Sequence, residues 1–456
     1  MTRDERLVLA IAVLASFVAF LDGTVVNVAL PALTRELGGG LAVQQWTVDA
    51  YLITLGALML VAGSLSDLLG RLLVLRIGLV LFGAASLAIA AAPDPGFLIV
   101  ARAVQGVAGA LLVPSSLALI TATFSGAARG RAIGSWTALT SVAMLVGPAL
   151  GGVFVDLVSW RLVFLVNVLP IAATLVLLQL LRRRDVRQPG ARLDVSGAIL
   201  CTVGLGGVVF AFIEQERLGW GHPAIWGTMA LGGLALAGFL LRERFARSPI
   251  LPLGLFAVRN FWAGNVATLL IYGALGLSSL VVTVYLQQGA GMPATLAGLA
   301  LLPSTILMIA GSSWVGSLAA RWGARWFMTA GPILAGLGTL LFLLVAPDFD
   351  YWTQVLPAVL VFGAGLTITV SPLTAAILGA IEPARAGTAS AVNNAVARIA
   401  GLLLTAMLGL IAGGELDLEG FRRATVVGAA LLVAGGVVSW LGIRDRERPG
   451  AGTRVA

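Results

Sequence analysis

The sequence has no lysine, a single cysteine and a single histidine, and only 11% of its 456 residues are charged. Because Cys201 is the only cysteine, an intrachain disulfide and a cysteine-based metal cluster are both excluded. A phosphate-binding loop of the Gly-Lys type is excluded by the absence of lysine, so no nucleotide, metal or other cofactor is expected. Hydrophobic residues make up 59% of the chain and the mean hydropathy is +1.00, which indicates a protein that folds in lipid.

Long apolar runs dominate what is present. Each is about 20 residues or longer, enough at about 1.5 Å per residue to cross a hydrocarbon core of about 30 Å. The runs are uniformly apolar and not alternating, so they predict helices and not strands. The fourteen runs lie at 7–30, 46–66, 72–92, 97–123, 131–155, 160–181, 195–214, 222–242, 260–286, 293–319, 326–346, 354–378, 385–412 and 423–443.

The arginines predict the orientation of these spans. With the N-terminus inside, the inner segments hold 22 of the 29 basic residues, the outer segments hold five, and two lie within spans. This excess predicts a multi-pass plasma-membrane protein with both termini in the cytoplasm. The net charge of +8 therefore belongs to arginine clusters that flank spans, and nucleic acid is not expected as a partner.

A duplicated turn predicts the domain organisation. The turn Gly-Ser-Leu-Ser-Asp-Leu-Leu-Gly-Arg at 63–71 reappears in a weaker form, Gly-Ser-Leu-Ala-Ala-Arg-Trp-Gly, after an offset of 253 residues. Two related six-helix halves are the plan of transporters that rock around a central site, whereas a channel or a membrane enzyme would not explain the repeat. The predicted domains are a six-helix bundle at 1–181, basic linkers with two inserted helices at 182–258, a second six-helix bundle at 259–445 and a tail at 446–456.

Four motifs carry a resemblance to a known family. They are Leu-Asp-Gly-Thr-Val-Val-Asn-Val-Ala-Leu-Pro at 21–31, the turn at 63–71, Arg-Ala-Val-Gln-Gly-Val-Ala-Gly at 102–109 and Gly-Pro-Ala-Leu-Gly-Gly at 147–152. With these motifs the chain resembles the major facilitator superfamily, and more narrowly its fourteen-helix drug:proton antiporters. The resemblance implies an all-α integral membrane protein with two six-helix bundles and two inserted helices. It also implies multidrug efflux coupled to protons, and hence antibiotic resistance.

Three residues are candidates for proton coupling: Asp22, Asp49 and Arg102. Asp22 lies about 15 residues into the first helix, roughly 22 Å from its cytoplasmic end, where desolvation favours the protonated form of a carboxyl group. Asp49 and Arg102 are expected at similar depths in their helices, so a carboxylate, arginine, carboxylate cluster is possible. Two structural alternatives remain open: Asp22 satisfied by hydroxyls or by Arg102, and Asp49 hydrated near the interface.

The remaining candidates are expected to line a cavity or to control a gate. The cavity candidates are Asn27, Gln105, Trp136, Tyr272, Asn393, Asn394 and Arg398. For the last three, polar contact between helices is an equal alternative. The gating candidates are Gly63, Asp67, Gly70, Arg71, Gly147, Pro148, Gly151 and Gly152. The resemblance implies a latch in the turn, with Asp67 contacting a helix N-terminus or Arg71 and Arg129, and a seal or hinge at 147–152. A solvated turn and plain tight packing are the alternatives.

The sequence thus predicts a proton-coupled exporter of small lipophilic compounds. The second bundle has no acidic residue within a span, which suggests a low proton count and neutral or monocationic substrates. The expected partners are this substrate, membrane lipid and protons, and the protein is expected to be a monomer. A lipid or lipid-precursor flippase on the same fold is the main alternative. A sensor and a membrane enzyme are disfavoured, the latter because acid and base groups facing the membrane are missing.

Overall fold

The computed structural model describes residues 1–181, 185, 194–246, 249, 251–382 and 385–445, and within these ranges the chain is helical and contains no strand. The all-helical class predicted from the apolar runs is therefore confirmed. The predicted tail at 446–456 and most of the basic strip at 182–193 lie outside the described residues.

Seventeen α-helices follow one another along the described part of the chain. The first nine are α1 (Arg3–Leu37), α2 (Gly40–Leu69), α3 (Arg71–Ala90), α4 (Pro95–Thr123), α5 (Gly126–Leu157), α6 (Leu162–Leu165), α7 (Val168–Leu180), α8 (Val195–Leu218) and α9 (Pro223–Phe245). The others are α10 (Arg259–Gln288), α11 (Ala294–Leu299), α12 (Leu302–Trp322), α13 (Ala324–Leu341), α14 (Leu356–Gly379), α15 (Ala386–Ala406), α16 (Leu408–Ala412) and α17 (Leu418–Gly442). Short 3₁₀ segments lie at Leu253–Ala257 and Phe342–Leu344, and a π-helical turn lies at Tyr351–Val355.

Every predicted apolar run coincides with one helix or with two consecutive helices. Thirteen of the described helical stretches are long and apolar enough to cross a membrane, and the 30-residue α2 covers the run at 46–66. Three runs are split by one or two residues, between α6 and α7, α11 and α12, and α15 and α16. At two of these breaks a proline, Pro170 or Pro303, lies in the first turn of the following helix, where its missing N–H costs no hydrogen bond.

The described chain forms two compact units. Within the described residues, unit 1 comprises Met1–Pro252, Leu275–Leu302 and Arg398–Ala424, and unit 2 comprises Leu253–Ala274, Pro303–Ala397 and the chain from Thr425 to Asp445. Since α10, α15 and α17 each contribute to both units, the units differ from the sequence-predicted domains, which stay predictions.

Helix α1 runs through the core of unit 1. Its residues Val8, Ile11 and Val18 are fully buried in a hydrophobic cluster with side chains of α3 and α4. It also packs against α5 and α7. A polar residue in the middle of α1 therefore faces protein and not lipid, which makes specific polar partners necessary.

The helices that follow the two copies of the duplicated turn, α3 and α13, are capped in the same way. In the first turn of α3, the amides of Leu72 and Leu73 donate to the two carboxylate oxygens of Asp185 at 3.1 and 2.9 Å. In the first turn of α13, the amide of Arg325 donates to Asp445 at 3.1 Å. Carboxylates are favourable at helix N-termini, where free amides and the positive end of the helix dipole meet.

A glycine makes each of these caps possible. Gly70 and Gly323 precede the capped helices with φ of +104° and +93°. A Cβ atom at either position would lie 2.3 to 2.4 Å from the capping carboxylate. The copies thus share their capping chemistry even though the acid Asp67 of the first turn is replaced by Ala320 in the second.

The inserted helices α8 and α9 pack closely on one another through glycines. A Cβ atom at Gly232 would lie 2.8 Å from the Val208 amide nitrogen and 2.9 Å from the Gly204 carbonyl oxygen. A Cβ atom at Gly207 would lie 2.7 Å from the Thr228 carbonyl oxygen. Small residues of this kind let helix backbones approach in a membrane, where hydrophobic burial gives no driving force between helices.

A polar cap lies where α8 begins. The Asp194 side chain accepts a hydrogen bond from the Gly197 amide at 2.8 Å and from Arg242 Nε of α9 at 2.7 Å. Burial raises the pKa of the Asp194 carboxyl, but the Gly197 amide and Arg242 outweigh it and hold that pKa below its ordinary value. The cap therefore stays charged and joins the two inserted helices at one end.

The glycine contact between α8 and α9 can be tested with adjacent residues. We expect Gly232→Ala to lower the melting temperature of the purified protein, because its methyl group meets backbone atoms that cannot move freely, at a cost of about 1–3 kcal/mol. Gly233→Ala is the matched control, since no atom lies within 4 Å of its Cβ position. Equal melting temperatures for the two variants would contradict the close contact.

Candidate functional site

Asp22 is the centre of a buried polar network in unit 1. Its carboxylate is inaccessible to solvent. Oδ2 accepts a hydrogen bond from Arg102 Nη1 at 2.6 Å. Oδ1 accepts from Gln105 Nε2 and from Asn167 Nδ2, both at 3.0 Å. Groups from α1, α4 and the turn between α6 and α7 thus meet at one carboxylate.

Arg102 is also fully enclosed, with 1% of its surface exposed. Its Nε donates to the Thr47 carbonyl oxygen at 2.8 Å, and Nη1 also donates to Gln105 Oε1 at 2.6 Å. The guanidinium lies 4.4 Å from the Tyr51 ring centroid and 5.7 Å from that of Phe164. These contacts combine an ion pair, hydrogen bonds and cation–π attraction, as a charge inside a membrane protein requires.

The spacing of the Arg-x-x-Gln motif explains how α4 serves this site. Residues three apart lie on one helix face, so Arg102 and Gln105 both reach Asp22. Gln105 Nε2 also donates to Ser86 Oγ at 2.9 Å, which ties α3 to the network. No role was assigned to Ser86 or Asn167 from the sequence. The signal for Asn167 was available, since it is an amide near the middle of the apolar run at 160–181, where the only other amide is Gln179.

Asp49 of α2 is separate from this network. It is fully buried, and neither of its carboxylate oxygens accepts a hydrogen bond within the described part of the protein. Arg102 is hydrogen-bonded to the backbone of Thr47 in the same helix and forms its ion pair with Asp22. The structure thus brings together Asp22, Arg102 and Gln105, and it leaves Asp49 without the arginine contact that the predicted cluster would give it.

Three of the predicted cavity residues besides Gln105 belong to unit 1. Asn27 is half-buried in α1. Trp136 of α5 donates from Nε1 to Ser16 Oγ at 3.0 Å, and its ring packs edge-on against Phe20. Arg398 is half-buried in α15, with its Cβ 3.9 Å from the Cβ position of Gly56 in α2. Trp136 therefore joins α5 to α1, and Arg398 lies beside α2.

The other predicted cavity residues belong to unit 2. Asn393 Nδ2 donates to Thr268 Oγ1 at 2.8 Å and to Asn265 Oδ1 at 3.2 Å, which joins α15 to α10. Asn394 is exposed and donates to the Ser390 carbonyl oxygen of its own helix. Tyr272 is half-buried in α10. Asn393 thus has the polar contact between helices that was its alternative role.

The first copy of the duplicated turn contacts the end of α4. Arg71 Nη1 donates to the Ala118 carbonyl oxygen at 3.2 Å, and Arg129 Nε donates to the Phe124 carbonyl oxygen at 2.9 Å. Cations at the last carbonyls of a helix are favourable. Gly63 is half-buried in α2, and the Asp67 side chain lies outside the described residues.

The Gly-Pro-x-x-Gly-Gly segment of α5 forms a tight contact with α1. A Cβ atom at Gly147 would lie 2.3 Å from Thr24 Oγ1, and one at Gly151 would lie 2.7 Å from Val25 Cγ2. These contact residues, Thr24 and Val25, lie two and three residues after Asp22 in α1. The segment therefore sets the distance between α5 and the helix that carries the buried acid.

A second face of the same segment packs on α11. A Cβ atom at Gly152 would lie 2.3 Å from Thr295 Cα, and one at Gly298 would lie 2.4 Å from the Pro148 carbonyl oxygen. One turn beyond Gly152, Asp156 accepts hydrogen bonds from the Ala294 amide at 2.9 Å and from the Thr295 amide and hydroxyl at 2.8 and 2.6 Å. Asp156 thus extends the motif by a turn, a contact that the sequence did not suggest.

Comparisons with known proteins agree with the sequence motifs. The family model described as Major Facilitator Superfamily matches residues 12–405. The puromycin resistance protein pur8 of Streptomyces alboniger is 35% identical over 415 residues, covering 89% of this chain and 81% of that protein. The methylenomycin A resistance protein of Bacillus subtilis is 35% identical over 407 residues, covering 89% and 87%. The cephamycin export protein CmcT of Amycolatopsis lactamdurans is 35% identical over 420 residues, covering 90% and 86%.

A solved structure shows the same fold. The crystal structure of the peptide transporter POT in complex with sulfate superposes with a TM-score of 0.70 at 13% identity, covering 96% of this chain and 94% of that one. The predicted major facilitator fold is confirmed.

The buried ion pair predicts a double-mutant result. Asp22→Asn should lower the melting temperature strongly, because it leaves the Arg102 charge buried without its counter-ion, a change that costs about 3–5 kcal/mol. Asp22→Asn combined with Arg102→Gln should recover part of the loss, since no uncompensated charge remains. Thermal melting of four purified proteins, the wild type, Asp22→Asn, Arg102→Gln and the double variant, measures this, and strictly additive losses would contradict the pairing.

The contact between α5 and α11 predicts a difference between two glycines of one helix. Gly152→Ala should destabilise the protein by about 1–3 kcal/mol, because its methyl group would overlap the Thr295 backbone. Gly134→Ala is the control, because no atom lies within 4 Å of its Cβ position. The two melting temperatures decide the matter, and a Gly152 variant as stable as the Gly134 variant would argue against the contact.

Proposed function

The chain belongs to the major facilitator superfamily, and we propose that it is a proton-coupled exporter of small lipophilic compounds. It moves neutral or monocationic molecules out of the cell by alternating access, in exchange for protons. In this proposal it is a monomer in the plasma membrane, surrounded by lipid, with both termini in the cytoplasm. The family model and the names of the relatives point to a transporter.

The named relatives support export. They are resistance proteins for puromycin and methylenomycin A and an export protein for cephamycin, and this chain covers more than four-fifths of the length of each. Their names concern antibiotics, so the lipid flippase alternative receives no support. Resistance by efflux requires only that the compound be returned across the membrane, and it does not require chemical change.

The observation that carries proton coupling is the contrast between the two buried acids. Asp22 has a full set of charged and polar partners. Asp49 is equally buried and has no hydrogen-bond partner among the described residues, so no donor there compensates a charge on its carboxyl group. In this proposal Asp49 is one proton carrier, and Asp22 becomes a second only when it separates from Arg102.

Coupling follows from movement of these groups. When Arg102 is held by Asp22, that carboxylate does not need a proton. A conformational change that separated the two would leave a buried carboxylate, which would then take up a proton. Within the described residues no group of three or more His, Cys, Asp or Glu side chains could hold a metal ion, and protons are the coupling ion in this proposal.

The energy released by proton entry limits the ratio of protons to exported molecules. A proton that enters down a potential of about 100 mV releases about 2.3 kcal/mol, and each pH unit contributes about 1.4 kcal/mol. If one monocation leaves for each proton, the electrical contributions cancel and the pH gradient alone drives export. A neutral compound would use both contributions.

Reconstitution with acid-to-amide variants tests the proposal. We expect Asp49→Asn and Asp22→Asn to abolish export driven by a pH gradient for a panel of fluorescent neutral and monocationic compounds. Asp348→Asn, a change of the same kind at an exposed residue, should behave as wild type. If no compound shows gradient-dependent export by the wild type, or if both buried variants export normally, proton-coupled efflux is wrong.

A further inference from the structure

The first turns of α2 contain an unusual set of buried acceptors. The oxygens Gln45 Oε1, Asp49 Oδ1 and Asp49 Oδ2 accept no hydrogen bond within the described part of the chain, and both side chains are 0% exposed. Native proteins leave few buried polar atoms unsatisfied, and those few need an explanation. Acceptors that lack donors are suited to binding a proton or a hydrogen-bonded chain that carries one.

The two residues lie on the same helix face. They are four apart in α2, so their side chains are neighbours and Asp49 lies about one turn, roughly 5.4 Å, farther along the axis. Gln45 Nε2 donates to the carbonyl oxygens of Thr405 and Ala406 at 2.7 and 3.0 Å. Because both of these partners are acceptors, the amide cannot be reversed, and Gln45 Oε1 is left as the free acceptor.

Glu216, an acid of the inserted helix α8, lies near Gln45, and Gly409 lies beside both side chains. A Cβ atom at Gly409 would lie 2.7 Å from Glu216 Oε2 and 3.5 Å from Gln45 Oε1, so the two oxygens approach the same point. The other carboxylate oxygen, Glu216 Oε1, would lie 3.0 Å from a Cβ atom at Gly414. Glu216 itself is exposed to solvent. A solvent-exposed carboxylate therefore lies near the buried Gln45 Oε1.

Helix α8 is held in this position by both polar and apolar contacts. Trp46 Nε1 of α2 donates to Glu214 Oε1 at 3.0 Å. Farther along, Ile53 of α2 packs in one cluster with Leu205 of α8 and Ala406 of α15. Both contacts precede Glu216 in α8, and both join α8 to α2.

The charged groups around Glu216 leave its carboxylate available. On its own helix, Glu214 is paired with Arg217 at 2.8 Å. From the neighbouring segment the like charge of Glu415 acts on Glu216, and Arg423 is paired with Glu419. Around Asp49, the charges of Asp22 and Arg102 are paired with one another. No ion pair of the described residues involves Glu216.

We propose that Glu216 and Gln45 form the proton entry path to Asp49, so that the two inserted helices supply part of the coupling machinery. A proton leaves the Glu216 carboxyl, passes through hydrogen bonds that include Gln45 Oε1, and forms an O–H bond on the Asp49 carboxylate. The arginine count places the end of α8 at Glu216 on the outer side, where an exporter must take up its proton. This inference rests on the proposed function.

The test is the pH profile of export by reconstituted protein. If Glu216 collects protons, Glu216→Gln should slow gradient-driven export about tenfold at an outer pH of about 7.5, where protons are scarce. At an outer pH of about 5.5 direct protonation should restore the rate to within about twofold of wild type. Exchange of substrate across the membrane without a pH gradient should be unchanged.

Two further variants distinguish a path from a local charge or a structural effect. Glu415→Gln removes the same charge from an exposed neighbour and should leave the pH profile as in wild type. Gly409→Ala places a methyl group between Glu216 and Gln45 and should reproduce the profile of Glu216→Gln.

Three outcomes would overturn the path. The first is a pH profile of Glu216→Gln equal to that of the wild type. The second is an equal loss of export by Glu216→Gln at both pH values, together with loss of exchange. The third is a pH profile of Glu415→Gln as altered as that of Glu216→Gln. If Asp49→Asn abolishes coupling while Glu216→Gln matches wild type, only the entry path fails. If Asp49→Asn also exports normally, the coupling role of Asp49 fails and the path fails with it.

Discussion

The ion pair between Asp22 and Arg102 is the constraint that organises unit 1. Two charges removed from water are tolerated only if their geometry is good and their remaining hydrogen-bonding groups are satisfied. That requirement explains why Gln105, Asn167 and the Thr47 carbonyl surround the pair at 2.6 to 3.0 Å. Helices α1, α2 and α4 and the turn before α7 are thereby fixed to one point, and separation of the pair would affect all of them.

Glycines complement this polar constraint by controlling distance. Gly147 and Gly151 bring α5 against α1, Gly152 brings it against α11, and Gly232 brings α9 against α8. In each case a single added methyl group would overlap a neighbouring residue. The two helices of each contact are therefore either packed together or separated, with few intermediate positions. Such discrete contacts suit a protein that changes between states, because packed interfaces are bistable and do not deform continuously.

Local features of this protein could be predicted from its sequence, whereas contacts between distant segments could not. All fourteen apolar runs were found because hydrophobic length is a local property. Asp185, Asp445 and Asp156 were missed, although each caps a helix, because the amides they bind belong to segments far away in the chain. Asp49 was grouped with Arg102 by depth alone, and depth does not determine which face of a helix points at which neighbour.

The sequence by itself determined that this protein is an all-helical membrane protein, because lipid permits no other backbone solution for runs of this length. It also determined the family, because the motifs combine residue type with fixed local spacing. Only the tertiary structure decided which acid is paired and which is not, and which glycines lie in contacts. Those properties depend on partners hundreds of residues apart, such as Gln45 with Thr405, whose meeting is set by packing and not by local sequence.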